Sequence, residues 1–331
     1  MALTSPMDFT ISNLSHQYGT QATYENINLT LQHGEIGCLL GPSGSGKSTL
    51  LRSVAGFEFP SSGEIKVGET ILWSKHQELP ARERPVGIVF QDYGLFPHLN
   101  VEKNIGFPLN HLSSLERRKR VKSLLDLVNL KGKEVNFPHQ LSGGEQQRVA
   151  LARSLARQPK VILLDEPFSN LDPELRAKLV QDLRALLKEL EMTCLCVTHN
   201  VEDAFSMADK MGVLLKGSCQ QWAAPHEVYA NPCSFKVAKF LGDASLCPPE
   251  LISDSSVGHL PQFDGRVLLR PNQVSVNPDA SEKLFRITGI DYRGFFDLIK
   301  LEGPRDTTLL SFAPRSHTFK FHQEVGILAT P

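Results

Sequence analysis

The sequence predicts an α/β layer domain carrying a helical insertion, followed by a small all-β domain. Over the first 244 residues, short strand-like runs alternate with helical patterns. Several of those runs are apolar without interruption, as a sheet covered on both faces requires. Between about residues 92 and 157 the period turns mostly helical, which reads as an insertion. From about residue 245 a Pro-rich and polar stretch gives way to short segments alternating at period two between Gly- and Pro-containing turns.

Taken in order, the expected strands of the first domain are Phe9–Leu14, Ile27–Leu31, Ile36–Leu40, Val86–Phe90, Val161–Leu164, Thr193–Val197 and Met211–Leu215. Helices are expected over Lys47–Ala55 and Asp172–Leu190, with Ser113–Leu130 and Gly143–Ala156 inside the insertion. In the second domain, residues 245–331, the pairs Phe296/Leu298, Leu310/Phe312, Phe319/Phe321 and Val325/Ile327 set the alternation of a small barrel or sandwich. A chain of 331 residues is long enough for both cores. No internal repeat or extended low-complexity tract interrupts it.

Charge narrows the function classes. Lys plus Arg total 35 against 36 Asp plus Glu, and the second domain holds nine basic and ten acidic residues, so no basic half hides behind an acidic one. Nucleic-acid binding gets no support from that balance. No apolar stretch approaches the roughly 20 residues of a membrane-spanning helix. The N-terminus lacks a basic-then-apolar leader pattern, so a cytosolic chain is expected. Six cysteines include no C-x-x-C pair, and Cys38, Cys194 and Cys196 lie in apolar runs, as reduced thiols would.

The chemistry concentrates at strand ends. Gly41, Pro42, Ser43, Gly44, Ser45, Gly46, Lys47 and Ser48, followed by Thr49, fit the phosphate-binding loop G-x-x-x-x-G-K-[ST] between an expected strand and an expected helix. Backbone N–H groups and the Lys47 ammonium would hold a nucleotide's phosphates, and the Ser48 hydroxyl would ligate Mg²⁺. Asp165 and Glu166 close another apolar strand, where Asp165 suits a metal's waters and Glu166 could activate an attacking water. An acidic pair capping the following helix is the plainer alternative. His199 and Gln91 each end a further strand, suited to a γ-phosphate sensor and a metal-shell amide, although either alone is unremarkable.

A second glycine-rich stretch, Leu141 to Gln147, precedes an expected helix and offers another anion-binding N-terminus. In order along the chain, Tyr18, the Gly41–Ser48 loop, Gln91, Leu-Ser-Gly-Gly-Glu-Gln at 141–146, Leu-Leu-Asp-Glu-Pro at 163–167, Ser-Asn-Leu-Asp at 169–172 and Val-Thr-His at 197–199 resemble the motifs of ABC-transporter nucleotide-binding domains. The resemblance covers about residues 8–243 and implies a P-loop NTPase of the ABC ATPase type with a helical subdomain. It also implies a head-to-tail homodimer enclosing two ATP molecules with Mg²⁺. Ser142, Gly143, Gly144 and Glu145 would then meet the γ-phosphate of ATP held by the partner's loop. Tyr18 would stack on adenine, Gln91 would sense nucleotide, and Asp172 would organise the two sites across the interface. Glu166, with His199, matches hydrolysing members of the family. Asn170 stands where alanine is more usual.

The segment Phe90–Val101 is similar to importer ATPases that work with separate integral-membrane permeases and, indirectly, an external solute-binding protein. Tyr93, Leu95 and Phe96 could then receive a permease helix, or merely pack the insertion. That placement implies the cytoplasmic face of the inner membrane. The stretches Phe57–Glu64, Leu79–Arg84, Phe240–Ser245 and Leu269–Pro271 look most like ferric-iron importer ATPases, while polyamine, sulfate, thiamine and sugar importers share much of the pattern. Residues 245–331 resemble the OB-like accessory module of such ATPases. A soluble ABC ATPase acting in translation or on DNA, and a regulator that binds ATP without turnover, are the other classes. The basic run at 116–122 reads as a solvated helix face.

Overall fold

A computed structural model of the chain describes residues 8–169, 172–252, 259–280, 282–314 and 319–329. Packing divides the chain into two units, Met1–Pro225 and His226–Pro331.

The first unit opens with β1 (Phe9–Tyr18) and β2 (Gln21–Leu31), an antiparallel pair whose inward residues Phe9, Ile11, Leu14, Tyr24, Ile27 and Leu29 are buried. Next come β3 (Ile36–Leu40), α1 (Lys47–Ala55), β4 (Ser62–Val67), β5 (Thr70–Ser74), β6 (Gln77–Glu78) and β7 (Val86–Val89). The helical insertion supplies α2 (Val101–Gly106), α3 (Ser114–Leu127) and α4 (Gly143–Leu155). After it run β8 (Val161–Asp165), α5 (Pro173–Glu189), β9 (Thr193–Thr198), α6 (Val201–Met207), β10 (Lys210–Leu215) and β11 (Ser218–Ala223).

These strands form two sheets. One is antiparallel in the order β2-β1-β4-β5-β6, and the other runs β11-β10-β3-β9-β8-β7, parallel throughout except for β11. Every residue of β3, β8 and β9 is buried, the reason those segments carry no polar alternation. Leu50, Leu51 and Val54 of α1 pack with Leu39, Leu163 and Leu195 of that sheet and with Ile65 and Leu72 of the antiparallel one. Cys38 pairs in register with Cys196, and the neighbouring thiol and burial push the Cys196 thiol upward, so the core cysteines stay unreactive.

The expected strand at Ile36–Leu40 and helix at Lys47–Ala55 coincide with β3 and α1. Strands β4 to β6 carried no expectation, because Ile65, Val67, Leu72 and Trp73 are buried while polar residues break any longer apolar run. Serine capping boxes start both long helices of the insertion, Ser113 with Glu116 and Ser142 with Glu145. The basic run at 116–122 lies on α3 with Arg117, Arg118 and Lys119 exposed.

The second unit holds α7 (Pro225–Ala230), α8 (Phe235–Phe240), β12 (Ser245–Cys247), β13 (Gln262–Phe263), β14 (Arg266–Leu269), β15 (Val274–Asn277), β16 (Phe285–Tyr292), β17 (Phe296–Gly303), β18 (Thr307–Pro314) and β19 (Glu324–Ala329). Antiparallel sheets β12-β14-β13 and β15-β19-β16-β17-β18 enclose Phe285, Ile287, Ile299, Leu301, Leu309, Val325 and Ile327. The packing division at 225/226 differs from the boundary at 244/245 read from the sequence. Arg270, only 4% exposed, donates to Ala238 O at 2.8 Å and lies 4.2 Å from the Tyr229 ring centre, tying residues 226–244 to the β unit. The alternating pair Phe319/Phe321 forms no strand. Lys320 N instead donates to Gln323 Oε1 at 3.0 Å in a turn.

Candidate functional site

Parallel strands β3, β9, β8 and β7 lie side by side and end on one edge of their sheet, where α/β folds bind ligands. Each delivers sequence-selected residues there: the Gly41 loop after β3, His199 after β9, Asp165 and Glu166 at the end of β8, and Gln91 just beyond β7.

The loop's glycines are required by space and backbone. A Cβ on Gly41 would come within 2.5 Å of Leu214 O and 2.6 Å of Ser45 Oγ. Gly46 has φ of +100° at the N-cap of α1, and a Cβ there would approach Thr23 O at 2.8 Å. Lys47 is 4% exposed and donates to Gly41 O at 2.8 Å and Pro42 O at 2.9 Å. Burial pulls its pKa down, while Glu166 and Asp165 push back. Ser45 Oγ is buried with no hydrogen-bond partner, a polar group that a phosphate oxygen in the loop would satisfy.

Ser48 Oγ donates to Asp165 Oδ1 at 2.8 Å, and burial raises the Asp165 pKa against that bond. Ser48, Gln91 and Asp165 line one open cleft of about 610 Å³, together with Arg52, Phe90, Asp92 and Gly94. Hydroxyl, amide and carboxylate oxygens form a hard donor set that suits Mg²⁺ supplemented by water and phosphate oxygens.

Glu166 takes different partners from its neighbour. Its φ of +45° is left-handed, costing roughly 1–2 kcal/mol for a residue with a Cβ. The turn is held by Glu166 N donating to Val197 O at 3.0 Å and Ser169 Oγ donating to Glu166 O at 3.0 Å. Its Oε2 lies 3.0 Å from His199 Nδ1. A carboxylate and an imidazole therefore meet beside the loop, set by the ends of two adjacent strands.

Tyr18 closes β1 with its ring 53% exposed, packed edge-on to His16 at 4.6 Å. A hydrogen bond to Glu58 and burial push its phenol pKa up. Ser142 is the exposed N-cap of α4, with its N–H donating to Glu145 Oε2 at 2.9 Å, and a Cβ on Gly144 would meet Leu179 Cδ1 at 2.9 Å. The residues lining the cleft at Ser48 include none of Ser142, Gly143, Gly144 or Glu145. Asp172 is exposed at the start of α5, its carbonyl accepting from Arg176 N at 2.9 Å. Asn170 and Leu171 lie outside the described residues.

Arg52 was not selected from the sequence, although it lines the cleft. Its spacing of i+4 from Ser48 on a helix is the signal that places both on one face. Tyr93 and Phe96, read as a receiving groove or as packing, are buried and half-buried, with Phe96 lying 4.4 Å from the Phe107 ring.

Residues 24–169 match the family described as ABC transporter. The chain is 39% identical over 313 residues to a Fe(3+) ions import ATP-binding protein of Haemophilus influenzae, covering 88% of this chain and 87% of that one. It is 38% identical over 344 residues to a sulfate/thiosulfate import ATP-binding protein of Rhodopseudomonas palustris, covering 97% of each. Its fold is similar to the dimeric post-hydrolysis state of the ATP-binding cassette MJ0796 bound to ADP and Pi, with a TM-score of 0.56 and 32% identity over 66% of this chain and 98% of that chain.

Proposed function

The chain belongs to the ABC transporter family of ATP-binding proteins, and from that premise we propose that it is the ATP-hydrolysing subunit of an importer whose cargo is ferric iron. The observation that carries the hydrolytic reading is the 3.0 Å Glu166–His199 pair beside a loop whose lysine is already turned inward. A regulator that only bound ATP would need the loop but not that pair.

In this reading Lys47 leaves the carbonyls of Gly41 and Pro42 for phosphate oxygens, and loop N–H groups and Ser45 Oγ take the remainder. Ser48, Asp165 and Gln91 would hold Mg²⁺, which supplies charge neutralisation on the phosphates when bound. Glu166 orients a water against the γ-phosphorus and takes its proton as the new P–O bond forms. The bond to the β,γ-bridging oxygen breaks, and its electron pair leaves with ADP. With the proton assigned to Nδ1, His199 donates to Glu166 and fixes the carboxylate's direction. Tyr18 offers adenine an exposed ring.

Ser142, Gly143 and Gly144 complete a second chain's site, with Asp172 across the interface, so the working unit is a homodimer. The dimeric state of the similar ATP-binding cassette supports this arrangement. No helix among the described residues is long and apolar enough to cross a membrane, so the cargo path belongs to permease partners, fed by an external solute-binding protein. The chain would then sit at the cytoplasmic face of the inner membrane. The sulfate/thiosulfate relative keeps sulfate as a second cargo.

Glu166→Gln tests the reading. It keeps shape and removes the base, so ATP binding persists while turnover falls at least a hundredfold, on the scale of a lost general base. In cells the same variant blocks ferric-iron uptake and spares sulfate uptake. Unchanged hydrolysis, or none in either protein, counts against the motor, and lost sulfate uptake alone reassigns the cargo.

A further inference from the structure

Arg153 stands on α4, roughly 16 Å along the helix from Ser142 at 1.5 Å per residue. Its guanidinium leaves the helix for a different segment. Nη1 donates to Gly94 O at 2.7 Å and Nη2 to Tyr93 O at 2.9 Å, and its centre lies 5.4 Å from the centre of the Phe96 ring. Two parallel donors and a planar cation over an aromatic face form a grip that only arginine provides.

The gripped segment is unusual. Tyr93 and Gly94 take consecutive left-handed conformations, with φ of +61° and +53°. Tyr93 is 5% exposed, and its hydroxyl is buried without a partner. A bulky residue persists in that conformation only where its surroundings over-determine it. Phe96 is fixed from the other side, its N–H donating to Asn104 Oδ1 at 2.9 Å and its carbonyl accepting from Asn104 Nδ2 at 3.1 Å. Gly94 and Gln91 both line the cleft with Ser48 and Asp165. The segment that Arg153 holds is thus one wall of the candidate metal and γ-phosphate site.

We infer that Arg153 is a positioning residue that joins the Gln91 segment to the signature helix, so that the state of the cleft on one side sets the placement of Ser142 for the partner's nucleotide. The inference rests on the nucleotide reading above. A helix is stiff along its axis, so a displacement of the Tyr93–Gly94 carbonyls reaches Ser142 through two hydrogen bonds and one rod. Arg153 is not among the residues lining the cleft, so its loss removes none of the groups proposed to touch ATP or Mg²⁺ there.

Arg153→Met is expected to keep ATP affinity within about threefold and to lower kcat tenfold or more. In the Glu166→Gln background it weakens ATP-induced dimer formation by the same factor. In the ligand-free chain it speeds amide hydrogen exchange at residues 93–96. Arg153→Lys does not restore kcat, because one ammonium cannot bridge both carbonyls and cover the ring. Wild-type kcat in Arg153→Met, full rescue by lysine, or a parallel loss of ATP affinity, kcat and melting temperature overturns the inference, the last marking a merely structural residue. Should Arg153→Met not fold, Phe96→Leu removes the ring alone and is expected to lower kcat severalfold at unchanged affinity, with no change overturning the inference. Ser142→Ala measured in parallel separates the two levels. If it retains wild-type turnover the composite-site reading fails, whereas an impaired Ser142→Ala beside a fully active Arg153→Met sinks only the coupling.

Discussion

At the residue scale, the site is built from groups held short of their preferred state. Lys47 is a desolvated ammonium, 4% exposed, whose partners are two carbonyl oxygens of its own loop. Neutral acceptors offset burial of a cation only in part, and burial accordingly pulls its pKa down. In the proposed function a phosphate would supply the missing negative charge, turning the poor internal partnership into affinity for an anion. Lys47→Met should therefore raise the Kd for ATP by at least tenfold, read by titration calorimetry. Its stability by urea denaturation should change by less than about 2 kcal/mol, because the lost bonds and the relieved desolvation oppose each other. A large stability loss with ATP binding retained would mean that the lysine is a strut of the loop rather than a phosphate contact.

At the element scale, short strand-end segments work because the elements behind them are pinned. Asp209, just ahead of β10, accepts from Ile36 N at 2.8 Å, Arg184 Nη2 at 2.9 Å and Lys188 Nζ at 2.5 Å, locking α5 to β3. Burial alone would raise its pKa, but bonds from Lys188, Ile36 N–H and Arg184 more than offset it, leaving it below the ordinary aspartate range. The folded chain then binds fewer protons than the unfolded one between the folded and the unfolded pKa. This contribution is complete above the unfolded pKa and is lost as pH falls through the folded one. Asp209→Asn should cost about 2 kcal/mol at pH 7, with the gap to wild type closing below about pH 4. Urea denaturation at both pH values checks it, and an equal gap at both would remove ionisation as the cause. Elements of this kind differed in how well the sequence announced them. The strand Ile36–Leu40 and the helix Lys47–Ala55 were legible because uninterrupted apolar runs and a glycine-rich loop leave few alternatives. Strands β4 to β6 were not, since each is short and half-polar and takes its shape from pairing with the strand before it, β4 on β1, β5 on β4 and β6 on β5. The Asp209 and Arg153 clamps were invisible for a related reason: each joins segments far apart in sequence and meets a backbone group at one end, which leaves no residue pattern to read.

At the scale of the whole molecule, the proposed reading gives one chain two half-sites. Ser48, Gln91 and Asp165 share a cleft, whereas Ser142 at the exposed N-cap of α4 is absent from its lining. A net charge of −1 gives no general attraction for polyanions, so the proposed function relies on local geometry to recognise ATP, with a second copy supplying the loop that the α4 N-terminus would face. Complementation decides the arrangement. Ser142→Arg places a bulky cation where the partner's γ-phosphate would lie, and Lys47→Met removes the phosphate lysine. Each variant alone should be inactive as a homodimer, for opposite reasons. In a mixed dimer, however, the intact Lys47 of one chain faces the intact Ser142 of the other, restoring one of two sites. Equal mixing puts about half of the dimers in that state, so ATPase activity should return to on the order of a quarter of wild type if the sites fire independently. A single-chain enzyme behaves differently at the first step, because Ser142→Arg alone would already hydrolyse ATP at the wild-type rate and mixing would add nothing.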